Sequence, residues 1–155
     1  MENTIYREEV PLTQWVAIMI GIFITALTPT VILEIFSFYR EPRLFWLYFI
    51  LDFFFIVILL NFRKLVIVID SEILMASFGL ISKKVNLVDI KSCEPVNATL
   101  SVYTGMGIRY GGDGSLAFLP SLGDAVRIRF DSSRPFVFST RKREQVLQIL
   151  KKYCD

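Results

Sequence analysis

WVAIMIGIFITALTPTVILEIF (residues 15–36) and LFWLYFILDFFFIVILLNF (residues 44–62) are two apolar runs separated by a charged turn around Arg40, Glu41, Pro42 and Arg43. Each is about as long as the roughly 20 residues that a helix needs to cross the hydrocarbon core of a bilayer. Together they predict a transmembrane helical hairpin over residues 15–62. The first run is not a secretory signal, since no basic cluster precedes it and no A-x-A cleavage pattern follows. Ahead of it, residues 1–14 are polar and charged. They predict an interfacial lead-in, with Trp15 at headgroup level.

Residues 63–155 leave room for one further domain of about 90 residues, enough to carry its own core. No Gly, Ser or Pro linker separates Phe62 from Leu65. The domain is therefore expected to sit directly on the membrane, with Arg63 and Lys64 at the phosphate level. A hydrophobic content of 54% and a mean hydropathy of +0.52 are high for a globule, and fourteen Phe suit lipid contact. Residues 1–62 carry three basic and six acidic side chains, whereas residues 63–155 carry fourteen basic and nine acidic ones. A basic domain beside a bilayer can be drawn to anionic headgroups. A solvated surface with a modest excess of charge is the plainer reading.

Polar residues inside the apolar runs need partners. Asp52 lies midway along the second run, where a charge costs about 2.5–3.5 kcal/mol. Counted outward from the turn, Thr30 lies at the same depth as Asp52, so a neutral Asp52 bonded to Thr28 or Thr30 is the simplest arrangement. Glu34 is shallower and pairs more naturally with Arg40 or Arg43. The positive-inside count narrowly favours both termini in the cytoplasm, as a multi-pass inner-membrane protein.

Several chemistries are disfavoured outright. The chain has no histidine, which removes the commonest general base and metal ligand. Ser and Asp without His exclude a hydrolytic triad of the usual kind. Cys93 and Cys154 are isolated, with no C-x-x-C and no zinc set. Reduced thiols in a cytoplasmic domain are expected, with a bridge left open. Gly105, Gly107 and Gly111 are spaced G-x-G-x-x-x-G without a following helix, so they are bulge and turn glycines rather than a dinucleotide site. The expectation is no enzyme, no cofactor and no metal.

Beyond Arg63 the period shortens. Strands are expected at 65–69, 73–78, 84–88, 90–96, 108–110, 116–119, 125–130 and 135–139, with turns at Asp70–Ser71–Glu72, Gly111–Gly112–Asp113–Gly114 and Asp131–Ser132–Ser133. In 125–130, Val126, Ile128 and Phe130 share one face and Arg127 and Arg129 the other. Thr140 is a plausible N-cap for a helix over 141–153. Its stripe of Val146, Leu147, Ile149 and Leu150 suits a cover over the open end of a barrel.

The strands followed by one terminal helix resemble a pleckstrin-homology-like (PH-like) domain, specifically the bacterial PH-like domain of small two-helix membrane proteins. The matching features are Tyr6–Arg7–Glu8–Glu9 with Gln14–Trp15 and Val85–Asn86–Leu87–Val88–Asp89–Ile90. Gly105–Met106–Gly107–Ile108–Arg109, Gly114 and Phe138–Ser139–Thr140 complete the set. The resemblance implies an α+β membrane protein, in which a PH-like antiparallel β-barrel or sandwich follows the transmembrane hairpin and is capped by the C-terminal helix. It also implies an adaptor-like role without catalytic residues. Residues 65–78 hold no basic side chain, so no phosphoinositide motif is present.

Two functions follow from this reading. The first is a membrane-anchored interaction or scaffolding module that contacts a membrane-protein partner, a second copy or the lipid bilayer. The second is an accessory subunit of a transporter or channel that uses Asp52 within the membrane. Arg109, Arg141, Lys142 and Arg143 form a possible interaction surface. Without interleaved stacking aromatics, these basic residues do not make a nucleic-acid platform.

Overall fold

The hexapeptide YREEVP alternates inward and outward side chains, and in the computed structural model it forms the first strand, β1 (Tyr6–Pro11). The structure describes residues 4–12 and 60–154 and, between them, residues 18, 21, 22, 32, 35, 46, 49, 50, 53, 54, 56 and 57. The chain divides into two units: Met1–Leu12 with Phe62–Asp155, and Thr13–Asn61. In the first, β1 pairs antiparallel with β2 (Lys64–Ile69), from Tyr6 opposite Ile69 to Pro11 opposite Lys64. This corrects the polar lead-in expected over residues 1–14. Glu8 made the stretch look solvated, yet its carboxylate is buried in the first unit.

Thr13–Asn61 is thus inserted between two paired strands, and its described residues are helical. Among the described residues, no helix is long and apolar enough to cross a membrane. This overturns the transmembrane hairpin with spans 15–36 and 44–62, and with it the multi-pass, inner-membrane placement with both termini in the cytoplasm. Run length in a sequence measures hydropathy alone, whereas a span needs about 20 consecutive helical residues. Trp15, Thr28, Thr30, Glu34 and Asp52 lie outside the described residues.

Sheet A continues with β3 (Ile73–Phe78) and β4 (Ile81–Asn86), in the order β1-β2-β3-β4. Gly79 turns the chain between β3 and β4 at φ 52°, a left-handed conformation that suits glycine. β2 and β3 alternate regularly, burying Leu65, Ile67, Ile69, Leu74, Ala76 and Phe78.

A 3-10 turn, Leu87–Asp89, leads into β5 (Ile90–Ala98) and sheet B. β5 runs two residues beyond the strand expected at 90–96, and a one-turn helix, α1 (Leu100–Tyr103), follows it. β6 (Gly107–Tyr110), β7 (Leu116–Leu119), β8 (Gly123–Phe130) and β9 (Phe136–Ser139) complete the order β5-β8-β9-β7-β6. β7 and β9 run parallel, so the expectation of a wholly antiparallel sheet is corrected. The reason is that the β6–β7 hairpin lies between β5 and β8 in sequence and adds to the far side of β9.

Both faces of sheet B are covered. One packs with sheet A around Phe118, Val126, Ile128, Phe136 and Phe138. The other buries Ala98, Ala117, Leu119, Ala125 and Val137 around Tyr103 of α1. Strands buried on both faces read as continuous apolar runs, which is why β9 shows no alternation. Five phenylalanines form a relay through the main core. Ring centroids are 5.4 Å apart for Phe62–Phe78, 5.7 Å for Phe78–Phe118, 5.3 Å for Phe118–Phe136 and 5.8 Å for Phe136–Phe138. These distances lie in the range of favourable aromatic pairs.

The last helix, α2 (Arg143–Leu150), buries Val146, Leu147 and Leu150 against the main core beside β5 and β8. It starts later than expected because Thr140 is not its N-cap; Lys142 holds that position, without a side-chain cap. Just past α2, Cys154 is joined to Cys93 of β5 by a disulfide with Cα atoms 6.4 Å apart. The reduced-thiol reading is therefore corrected. Sixty-one positions separate the pair, too many for sequence to bring together.

Candidate interaction site

Three polar features of the first unit are candidates for function. The first is a latch at Glu8. Its carboxylate accepts hydrogen bonds from the Tyr6 hydroxyl (2.8 Å), the Thr140 hydroxyl (2.6 Å) and the Arg141 backbone N–H (2.9 Å). Thr140 Oγ1 in turn accepts from the Lys142 N–H at 3.1 Å. Burial, reinforced by the Glu8 contact, pushes the Tyr6 hydroxyl well above its ordinary range. A carboxylate with this many donors is a structural clasp between β1 and the β9–α2 corner.

The second is an ion network on the outer face of β5 and β8. Glu94 Oε1 accepts from Arg129 Nη2 at 2.9 Å and Nε at 3.2 Å, and from Arg127 Nη1 at 3.4 Å. Arg127 also pairs with Asp113, which stands on the β6–β7 turn. Asp113 Oδ1 accepts from the Ser115 hydroxyl at 2.6 Å and its N–H at 3.1 Å. Arg129 is the main cause holding Glu94 below the usual carboxylate range, against some burial. Burial pushes Asp113 up, but the Ser115 bonds and Arg127 together pull it down further. The network fastens the β6–β7 hairpin to sheet B. A side chain at Gly111 would break this packing, because its Cβ would lie 2.8 Å from Tyr103 Cε1 and 2.9 Å from Ser115 Oγ.

The third feature is open. A cleft of about 690 Å³ lies between β4 and the β8–β9 turn. Val85, Ile90 and Phe130 supply its apolar lining, Lys83 and Lys84 stand on β4, and Ser132 and Ser133 on the turn. Its volume falls within the ~300–1,000 Å³ usual for ligand pockets. Lys91 is tied to Asp131, and Asn86 Nδ2 donates to Asp89 at 3.0 Å. Lys83 and Lys84 have no ion pair or side-chain hydrogen bond among the described residues.

The residues singled out from sequence take other places. Lys64 opens β2 and pairs with Glu9 at 2.7 Å, while Arg63 is exposed in the bend before it. Glu9 is held low by Lys64 first and Arg7 second. Arg109 lies on β6, where its Nε donates to the Met106 carbonyl at 3.0 Å. Arg141 and Lys142 are exposed at the β9–α2 corner, and Arg143 pairs with Asp124 at 2.7 Å. Arg109 and the 141–143 run thus occupy different elements and do not converge. The cleft escaped sequence reading, although Lys83–Lys84 at the start of the strand expected at 84–88 was its visible signal. No family model, curated protein or solved structure matches the chain.

Proposed function

We propose that the chain is a non-catalytic interaction module whose partner, a protein, docks in the cleft beside β4. The observation that carries this reading is the contrast between Lys83 and Lys84, left unpaired on the rim of an open cleft, and the arginines of β8, which are bound to carboxylates. Unpaired charge beside a largely polar lining offers a steering field for a charged partner. The architecture fits an adaptor. Two β-sheets followed by the terminal helix α2 are consistent with the PH-like resemblance. On that reading, residues 13–61 and the α1–β6–β7 segment are insertions into the frame.

A photoreactive residue placed at position 84 or 132 of the full chain tests the reading in cells. Cross-links to a discrete protein from either position, with none from position 148 on the exposed face of α2, support it. Equal cross-linking from all three positions, or none from 84 and 132, overturns it.

A further inference from the structure

The cleft borders a free sheet edge, and the sequence along that edge specifies what can pair with it. Among the described residues, sheet A ends at β4, with no further strand on its outer side. β4 pairs with β3 from Ile81 opposite Phe78 to Asn86 opposite Ile73, and the Leu87 N–H continues the ladder to the Glu72 carbonyl. Antiparallel ladders alternate, so Lys83 and Val85 also bond toward β3. The backbone groups of Ser82, Lys84 and Asn86 are then directed outward. An edge of this kind is a template for strand addition.

We propose that β4 accepts an extended acidic segment of a partner protein as a fifth strand of sheet A, a claim that rests on the cleft being the docking site. Lys83 lies on the inner face of the sheet with Val85 and Ile81, and Lys84 on the outer face with Ser82 and Asn86. Residues directly opposite one another across an antiparallel pair share a face. The complementary strand therefore carries two adjacent acids, one for each lysine. Apolar residues belong opposite Val85 and Ile81, and small polar ones opposite Asn86 and Ser82. Read antiparallel to β4, that strand is Thr-Val-Glu-Glu-Thr-Val.

Charge also decides against a second copy. Outward-bonding residues of two antiparallel edges pair with each other, so two β4 edges related by a two-fold axis at Lys84 would set the two Lys84 side chains directly opposite, where like charges are destabilising. The chain's own acidic pair, Glu8–Glu9, is already engaged with Thr140 and Lys64.

The test uses the full chain and synthetic hexapeptides. Thr-Val-Glu-Glu-Thr-Val should bind by calorimetry and protect the amides of Ser82, Lys84 and Asn86 from hydrogen exchange. The double variant Lys83→Glu, Lys84→Glu should weaken it at least tenfold and instead bind Thr-Val-Lys-Lys-Thr-Val. Equal binding of both peptides to the wild type, no binding of either, or protection confined to other strands overturns the proposal. So does retention on phosphatidylglycerol vesicles that the double variant abolishes while the peptide stays unbound. If the peptides fail but cross-links from position 84 persist, only strand addition falls. If the cross-links fail too, the cleft falls with it.

Discussion

β4 and β8 each carry two basic side chains close together, and the two strands treat them in opposite ways. Arg127 and Arg129 share one face of a central strand, bound by Glu94 of β5 and Asp113 of the β6–β7 turn. Lys83 and Lys84 occupy opposite faces of an edge strand, where no carboxylate among the described residues answers them. Position in the sheet accounts for the difference. A central strand has neighbours on both sides that can supply counter-charges and hold them in register, whereas an edge strand has one neighbour and water. Arginine suits the first role through its rigid fork of donors, and lysine suits the second as a mobile point charge. The β8 pair is spent on assembling the fold, while the β4 pair is left for something outside it.

Removing the support beneath the paired set should have the largest effect. Cys93 precedes Glu94 on β5, and its bond to Cys154 closes a long loop. The combined change Cys93→Ser, Cys154→Ser should cost roughly 4 kcal/mol on the loop-entropy account. A urea midpoint that does not move would show that the bridge contributes nothing to the placement of β5.

Next in size, Arg127→Met removes the cation from partly buried Asp113 and one of the two from Glu94, which keeps Arg129. Breaking a buried pair costs about 3–5 kcal/mol, and partial exposure here reduces the expectation to about 2 kcal/mol. Urea unfolding of the variant measures it, and a loss below about 0.5 kcal/mol would place the network among ordinary surface charges.

A smaller effect distinguishes the strands by pH. Glu94 and Asp113 titrate below their ordinary values in the folded chain. The unfolded chain thus binds protons first as pH falls. The stability these groups confer is present above about pH 4 and is lost as pH drops through the depressed folded values. Arg129→Gln should flatten this acid slope of the urea midpoint by releasing Glu94. Lys83→Gln with Lys84→Gln should leave the slope unchanged.

The smallest expected effect is the most telling. The double glutamine variant should keep the wild-type stability within about 0.5 kcal/mol, as surface substitutions usually do. A larger loss would mean that the β4 lysines are structural after all and that the contrast with β8 fails.

How much of this could be read from the chain depended on the range of each signal. β3 and β7 were legible to the residue, because their alternation or apolar run is bounded by turn residues. The Arg127–Arg129 face followed from period two alone. β1 was not legible, because its partner lies more than fifty residues away and Glu8 passes for a solvated charge until Thr140 and Arg141 are beside it. The apolar runs in 15–62 were read by hydropathy, which carries no information on helix length. The phenylalanines assigned to lipid contact include five that build the core relay. For the cleft, the two lysines were visible, but their lack of partners is a property of the folded neighbourhood.

The separation of β1 from β2 has a consequence in time. The Tyr6–Ile69 and Pro11–Lys64 pairs join residues more than fifty positions apart, and such non-local pairings form slowly because loop closure precedes the reward. On a ribosome adding about 5–20 residues per second, β1 is made several seconds before β2. Its final clasp needs Thr140 and Arg141, which come later still. Sheet A is therefore expected to nucleate on the local β2–β3–β4 meander, with β1 docking last. Replacing Thr140 with Val should then speed unfolding while leaving the refolding rate nearly unchanged.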